Sequence, residues 1–205
     1  TMDDLNVVIT GAAGEGIQTI GAVLAETASA QGYSVFTWQE FESRIRGGQN
    51  SYSVRISESP RNAPLMEADI LLVLNEGAFN KYETLLKPNG ILFAQKDYKQ
   101  EMIPLPFRDI SHHEFGRKIY ANTIAVGALV AALGIEVERL NQVLAHRFAQ
   151  KGNEVIEINQ KAAQKGYELG QQGCQDVCPW GLARRRASYH LISAHESIPL
   201  GATYA

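Results

Sequence analysis

The chain has little of several things that would narrow its class at once. Cysteine occurs twice in 205 residues, at Cys174 and Cys178, so no disulfide framework of the kind that holds small secreted domains together is indicated. No run near the N-terminus joins basic residues to a long apolar core, so there is no sign of a secretory leader, and the expected location is cytoplasmic. The longest apolar stretch, Ile119 to Leu133, is interrupted by Asn122 and Thr123 and is too short to span a bilayer. An excess of positive charge is also missing. The formal net charge of -3 argues against a general nucleic-acid binder, because neutralising phosphates along a duplex needs a basic face. Any polyanion site is therefore local. What is present is an ordinary apolar share, 45% of residues, over a length suited to one domain with a sizeable core.

The segment from Leu5 to Ser51 organises the rest. Leu5, Val7, Val8 and Ile9 read as a strand, which passes through Gly11-Ala-Ala-Gly14-Glu15-Gly16 into a helical pattern, Ile17 to Ala30. Gly32 closes that helix. A second strand, Ser34 to Trp38, leads to Arg44-Ile-Arg46-Gly47-Gly48-Gln-Asn50, and Tyr52, Val54 and Ile56 then alternate as a third. No helical pattern separates the second and third strands, so an antiparallel or locally mixed pairing is expected there.

Ile70 to Leu74 is a continuous apolar run, as in a central strand covered on both faces. A helix from Ala78 to Leu86, stopped by Pro88-Asn-Gly90, and a strand from Ile91 to Ala94 complete a right-handed crossover. Gln95 to Glu114, with Pro104 and Pro106, reads as irregular or as one short edge strand. Ile119 to Leu133 is expected as a buried helix. Two further helices follow, one marked by Val137 to Phe148 and one capped by Asn153 and running to Leu169. The expected fold is α/β: three layers, a mostly parallel mixed sheet flanked by helices, and a Rossmann-like first strand, turn and helix. Residues 1–170 form the domain, 171–187 a linker, and 188–205 the start of something further.

The glycine turn places free backbone N–H groups and the positive end of a helix dipole at one point, which suits a phosphate. Its order, Gly-x-x-Gly-x-Gly, differs from the dinucleotide fingerprint, and glycine is also needed there simply to turn the chain. Glu15 competes with a bare pyrophosphate; it can instead accept hydrogen bonds from a ribose or an amide, and it complements the dipole. Arg44 and Arg46 lie on one side of an extended chain, and guanidinium forks suit phosphate oxygens, although Glu40 and Glu42 are also placed to pair with them. Gly47-Gly48 marks a backbone that a ligand or partner approaches closely.

His112 and His113 are neighbours with no third ligand at metal spacing, and two thiols are too few for an iron–sulfur cluster. No nucleophile–base arrangement is recognisable, so the chain reads as one that binds and does not carry a complete active site.

Val8 to Gly21, then Arg44-x-Arg46-Gly47-Gly48-x-Asn50-Ser51-x-x-Val54-Arg55-Ile56-Ser57, then Ala68-Asp-Ile-Leu71, Leu86 to Gly90 and Asn122 to Gly134, resemble the gamma subunit or gamma domain of the 2-oxoacid:ferredoxin oxidoreductases. The likeness covers about residues 5 to 170. Tyr189 to Ala205 resembles the entry to the alpha domain, with Ala194-His195 where that family has Gly-Asn, which implies the N-terminal part of a fused gamma–alpha subunit.

The resemblance implies oxidative decarboxylation of a 2-oxoacid on thiamine diphosphate, electrons passed through [4Fe-4S] clusters to ferredoxin, and release of an acyl-CoA. Thiamine diphosphate and the clusters would sit in alpha and beta partner chains or domains, leaving coenzyme A to this one. By the same comparison Gly14, Glu15, Gly16, Arg46, Gly47, Gly48 and Asn50 are expected ligand contacts, and the fused order favours 2-oxoglutarate. Two other readings stand beside it. One is a nicotinamide-nucleotide oxidoreductase, with Glu40 on the ribose; the other is a non-catalytic assembly module of the same complex.

Overall fold

Alternation along the central strands decides how the core divides. In β1 (Leu5–Ala12), Val7 and Ile9 face one side and Val8 the other; in β4 (Ala68–Val73), Ile70 and Leu72 oppose Leu71 and Val73 in the same way. Both faces are buried, as a strand covered twice requires. The computed structural model describes residues 4–42, 48–95, 98, 102–175, 177–189, 191–193 and 196. Among these, β2 (Ser34–Glu40), β3 (Gln49–Ser57), β5 (Leu86–Ala94) and β6 (Ile103–Pro104) complete one sheet in the order β2-β3-β1-β4-β5-β6. β3 runs antiparallel to both neighbours and the remaining pairs are parallel, so the sheet is mixed as expected.

The larger core gathers α1 (Ile17–Ala30), α4 (Ala121–Ala132), α5 (Val137–Arg147) and α6 (Asn153–Cys174) on one face. The other face is covered by α2 (Glu76–Tyr82), through Phe79, with Tyr98 stacked on its ring.

Several elements differ from expectation, each for a local reason. Gln95 to Glu114, expected as irregular or as one short edge strand, holds that strand as β6 but also α3 (Phe107–Phe115), with Pro106 at its N-cap, where a missing N–H costs nothing. α2 is shorter than expected and passes through a 3₁₀ turn, Glu83–Leu85, into a strand that begins at Leu86 and absorbs Pro88-Asn-Gly90 as a register irregularity. Ile119 is 65% exposed in a 3₁₀ turn that precedes α4, so it is not part of the buried helix. Asn153 is the first residue of α6, and no side chain caps that helix.

Small residues set the closest helix pair. A Cβ on Gly127 would strike the Ala163 carbonyl, and one on Gly166 would strike that of Ile124, so α4 and α6 meet backbone to backbone. α6 continues past Gly170 to Cys174, which is bonded to Cys178 in a disulfide, although the two thiols gave no reason to expect a framework. Residues 182–189 lie along the domain. Leu182 is fully buried and donates its N–H to the Leu133 carbonyl, Arg185 N–H reaches Gln31 O at 2.9 Å, and Arg185 pairs with Glu58.

Candidate functional site

The glycine turn stands where β1 ends, at the C-terminal edge of the parallel strands, the usual place for a ligand in an open α/β sheet. Gly14 (φ 87°) and Gly16 (φ 90°) both adopt the left-handed region that costs other residues strain. Their surroundings differ. Nothing lies within 4 Å of a Cβ built on Gly14, whereas one on Gly16 would strike the Asn122 amide. Gly16 is the N-cap of α1 and offers no side chain, so the first-turn N–H groups have no side-chain acceptor of their own.

Glu15 folds back over β1. Its Oε2 accepts the Ala12 N–H at 2.7 Å and Asn75 Nδ2 at 2.5 Å, and Oε1 pairs with Arg108 Nη2 at 2.7 Å. Room for this comes from Gly11, whose Cβ would lie 2.8 Å from Oε2. Asn75 follows β4 and caps α2 by accepting the Ala78 N–H, so one carboxylate ties together the ends of two neighbouring strands and the start of α3. Most of its lone pairs are thus occupied within the protein.

Arg44, Arg46 and Gly47 lie outside the described residues, but both flanks of their segment are described. Gly48 and Asn50 are buried, and β3 sets Asn50 opposite Gly11 and Gln49 opposite Ala12. Asn50 Oδ1 accepts the Glu42 N–H at 3.0 Å, and Glu42 Oε2 accepts the Gln49 N–H at 2.8 Å, closing the base of the segment beside the glycine turn. Glu42, read as a partner for the arginines, pairs with Lys81 at 3.1 Å. The Gln49 N–H, followed by the Lys81 ammonium, holds its carboxyl below the usual carboxylate range.

A cavity of about 470 Å³ is lined by Gly14, Gly16, Ile17, Gln18, Phe41 and Asn50, so the turn and the flank of the arginine segment share one cleft. On the other side of Gly14 a second cavity, about 730 Å³, is bounded by Glu15, Arg108, His112, Lys118 and Asn122. In the sequence Asn122 interrupts an apolar run and opens the last stretch that resembles the family, but nothing there assigns it to the site. A lone amide at the start of such a helix was the available signal. Arg108 gave none, because its partner is 93 residues away. Glu40 stands at the exposed end of edge strand β2, with β3 between it and β1, which removes it from the position a ribose-binding acid holds in a dinucleotide fold. A hollow of about 810 Å³ between α1 and α5, near Leu191 and Ile192, contains none of the expected site residues.

Among the described residues no three metal-ligating side chains come together, and no helix is long and apolar enough to cross a membrane.

A strand–glycine turn–helix with a cleft at the ends of parallel strands is the arrangement of an open α/β domain, the class in which ligands usually bind at such strand ends. Residues 6–169 match the family described as pyruvate ferredoxin/flavodoxin oxidoreductase, and the chain belongs to that family as a gamma-subunit-like domain. It is 32% identical over 177 residues to the 2-oxoglutarate synthase subunit KorC of Archaeoglobus fulgidus, covering 82% of this chain and 89% of that one. The keto/oxoacid ferredoxin oxidoreductase gamma subunit of Geobacter sulfurreducens superposes with a TM-score of 0.72 at 28% identity, over 84% of this chain and 99% of that one. The 2-oxoglutarate:ferredoxin oxidoreductase of Magnetococcus marinus, described with 2-oxoglutarate, coenzyme A and succinyl-CoA bound, gives 0.82 at 25% identity, over 94% of this chain and 35% of that one. The same unit therefore occurs as a separate subunit and as about a third of a longer chain. The protein is a subunit of a multisubunit 2-oxoacid:ferredoxin oxidoreductase.

Proposed function

We propose that this chain is the coenzyme A-binding gamma portion of its oxidoreductase, holding the thiol acceptor for an acyl group formed on thiamine diphosphate in a partner chain. The observation that carries the reading is the shared cleft: two left-handed glycines, the uncapped start of α1 and the anchored flank of the arginine segment all line one cavity. Such a site fits a phosphorylated carrier, because free N–H groups and the helix dipole both favour an anion. The coenzyme supplies the thiol. The chain binds and orients it: Gly14 and Gly16 let backbone approach the phosphates, and Asn50, fixed by Glu42, holds the base of the arginine segment at the cleft. Catalysis by this chain is positioning, which turns an encounter between acceptor and acyl group into an intramolecular step.

The two cysteines, bonded to each other, cannot supply the four thiolates of a cluster. The [4Fe-4S] clusters, thiamine diphosphate and the transfer of electrons to ferredoxin are assigned to partner chains. Of the 2-oxoacids, 2-oxoglutarate is favoured, since both the KorC relative and the Magnetococcus structure are named for it.

Coenzyme A affinity of the assembled complex tests the reading. Arg46→Ala and Asn122→Ala should each weaken binding by roughly tenfold, the size of one charge-assisted contact. Equal affinity in Arg46→Ala and parent would remove the arginine segment from the site. Coenzyme A-dependent ferredoxin reduction with 2-oxoglutarate, pyruvate and 2-oxoisovalerate in turn checks the substrate.

A further inference from the structure

The two edges of the sheet are built differently. β6, on one side, is two residues long and contains Pro104, so it is too short and too poor in N–H groups to recruit another strand. β2, on the other side, runs for seven residues, keeps an unbroken register with β3, and contains no proline and no lysine. Its one charged residue, Glu40, stands at the end. Among the described residues no backbone hydrogen bond reaches β2 from its outer side. An edge of this length without such guards offers a row of N–H and C=O groups to a further strand.

The sheet face beside that edge is also left open. Trp38 lies opposite Ser53, and Ser53 opposite Val8, so the three form one row across the sheet. Val8 is covered by the apolar cluster that α2 builds through Phe79 with Leu71 and Leu92, and no described residue of β2 belongs to that cluster. The covering layer therefore stops before the row does, and Trp38 is 48% exposed. Phe36, two residues earlier, shares its face and is half-buried. A tryptophan on an uncovered sheet face beside an unpaired edge is apolar surface that a further strand would bury together with its own side chains.

We propose that β2 pairs with β2 of a second copy of this chain, antiparallel about a two-fold axis at Thr37, so that the sheet continues from one copy into the other. The strand is complementary to itself. Centring the pair on Thr37 uses all seven residues and sets Phe36 of each copy opposite Trp38 of the other, an aromatic pair of the kind that stabilises neighbouring strands, once on each side of the axis. Glu40 then falls opposite Ser34, so no like charges meet. Shifting the axis by one residue either way sets Phe36 against Glu40 or Trp38 against Ser34, and the aromatic pairs are lost. The inference is independent of the coenzyme A reading; it concerns how two such units are joined.

Thiol cross-linking in the assembled complex tests it. Cys174 and Cys178 are bonded to each other, so a cysteine introduced into this chain has no thiol of its own chain to join. With Thr37 on the axis its two Cα atoms lie about 4.5–5.5 Å apart, within reach of a disulfide, whereas the two copies of Gln39 lie roughly 13 Å apart and out of reach. Under mild oxidation Thr37→Cys should give a covalent dimer, identified by the peptide that carries the bond, and Gln39→Cys should not. Adding Trp38→Lys to Thr37→Cys changes an exposed side chain, sets a charge against Phe36 of the second copy, and should cut the yield of dimer several-fold. No dimer from Thr37→Cys in an intact complex, an equal yield from Gln39→Cys, or a yield that Trp38→Lys leaves unchanged would each overturn the pairing. A bond from the substituted Thr37 position to a different chain would overturn it as well, since another occupant would then hold the edge.

Discussion

Gly16 meets two demands at once, and they can be separated. A left-handed backbone costs a residue with a Cβ about 1–2 kcal/mol, and that penalty applies equally to Gly14 and Gly16. Only at Gly16 does the new methyl also collide with Asn122. Gly14→Ala should therefore lose about 1 kcal/mol in urea unfolding, and Gly16→Ala about 2–3 kcal/mol. Adding Asn122→Ala to Gly16→Ala should recover part of the second loss, a coupling that a double-mutant cycle reads directly. Strict additivity would mean that Asn122 does not rest on the turn. At this scale the sequence was partly legible. The glycines could be picked out because left-handed positions leave a residue type behind, while Arg108 and Asn75 could not, because their roles exist only once β1, β4 and α3 are brought together.

Among the elements, the α4–α6 pair was legible as two helices and illegible as an interface. Periodicity marks which residues turn inward, but it does not say that Gly127 and Gly166 are the points where two backbones touch. Propensity and packing make opposite predictions there. Alanine in a helix interior is favoured over glycine by about 1 kcal/mol, yet a methyl at Gly166 would overlap the Ile124 carbonyl. Overpacking of this kind costs about 1–3 kcal/mol or more and should win. Gly166→Ala is thus expected to lower the thermal midpoint, whereas an exposed helical position such as Gln164→Ala should leave it nearly unchanged. A midpoint raised by Gly166→Ala would show that the helices are free to separate. α3 was missed because its start depends on proline, which reads as a stop until its position relative to the helix is known.

For the molecule as a whole, the segment after Cys178 matters most, since its polar, proline-containing and arginine-rich composition reads as a linker. Leu182 nevertheless has no exposed surface, and hydrogen bonds from Gln31, Tyr33 and Ser29 hold the chain between Leu182 and Tyr189 against the end of α1. Removing a buried leucine side chain costs about 2–5 kcal/mol, and a domain of this size shifts by about 2–4 °C per kcal/mol. Leu182→Ala should lower the thermal midpoint by roughly 4–20 °C; no change would return the segment to the status of a tether.

Read alone, the sequence determined the class of fold, the mixed pairing around β3 and the first strand, turn and helix, because these rest on short-range periodicity and on glycines whose backbone needs are local; the family came from the resemblance of its motifs. Tertiary structure alone decided that Glu15 braces the turn, that a cavity lined by Arg108, Lys118, Glu15 and Asp109 adjoins it, and that residues 182–189 pack against the domain. Each depends on residues distant in the chain, and nothing in a side chain's own neighbourhood announces which remote partner the fold will bring to it.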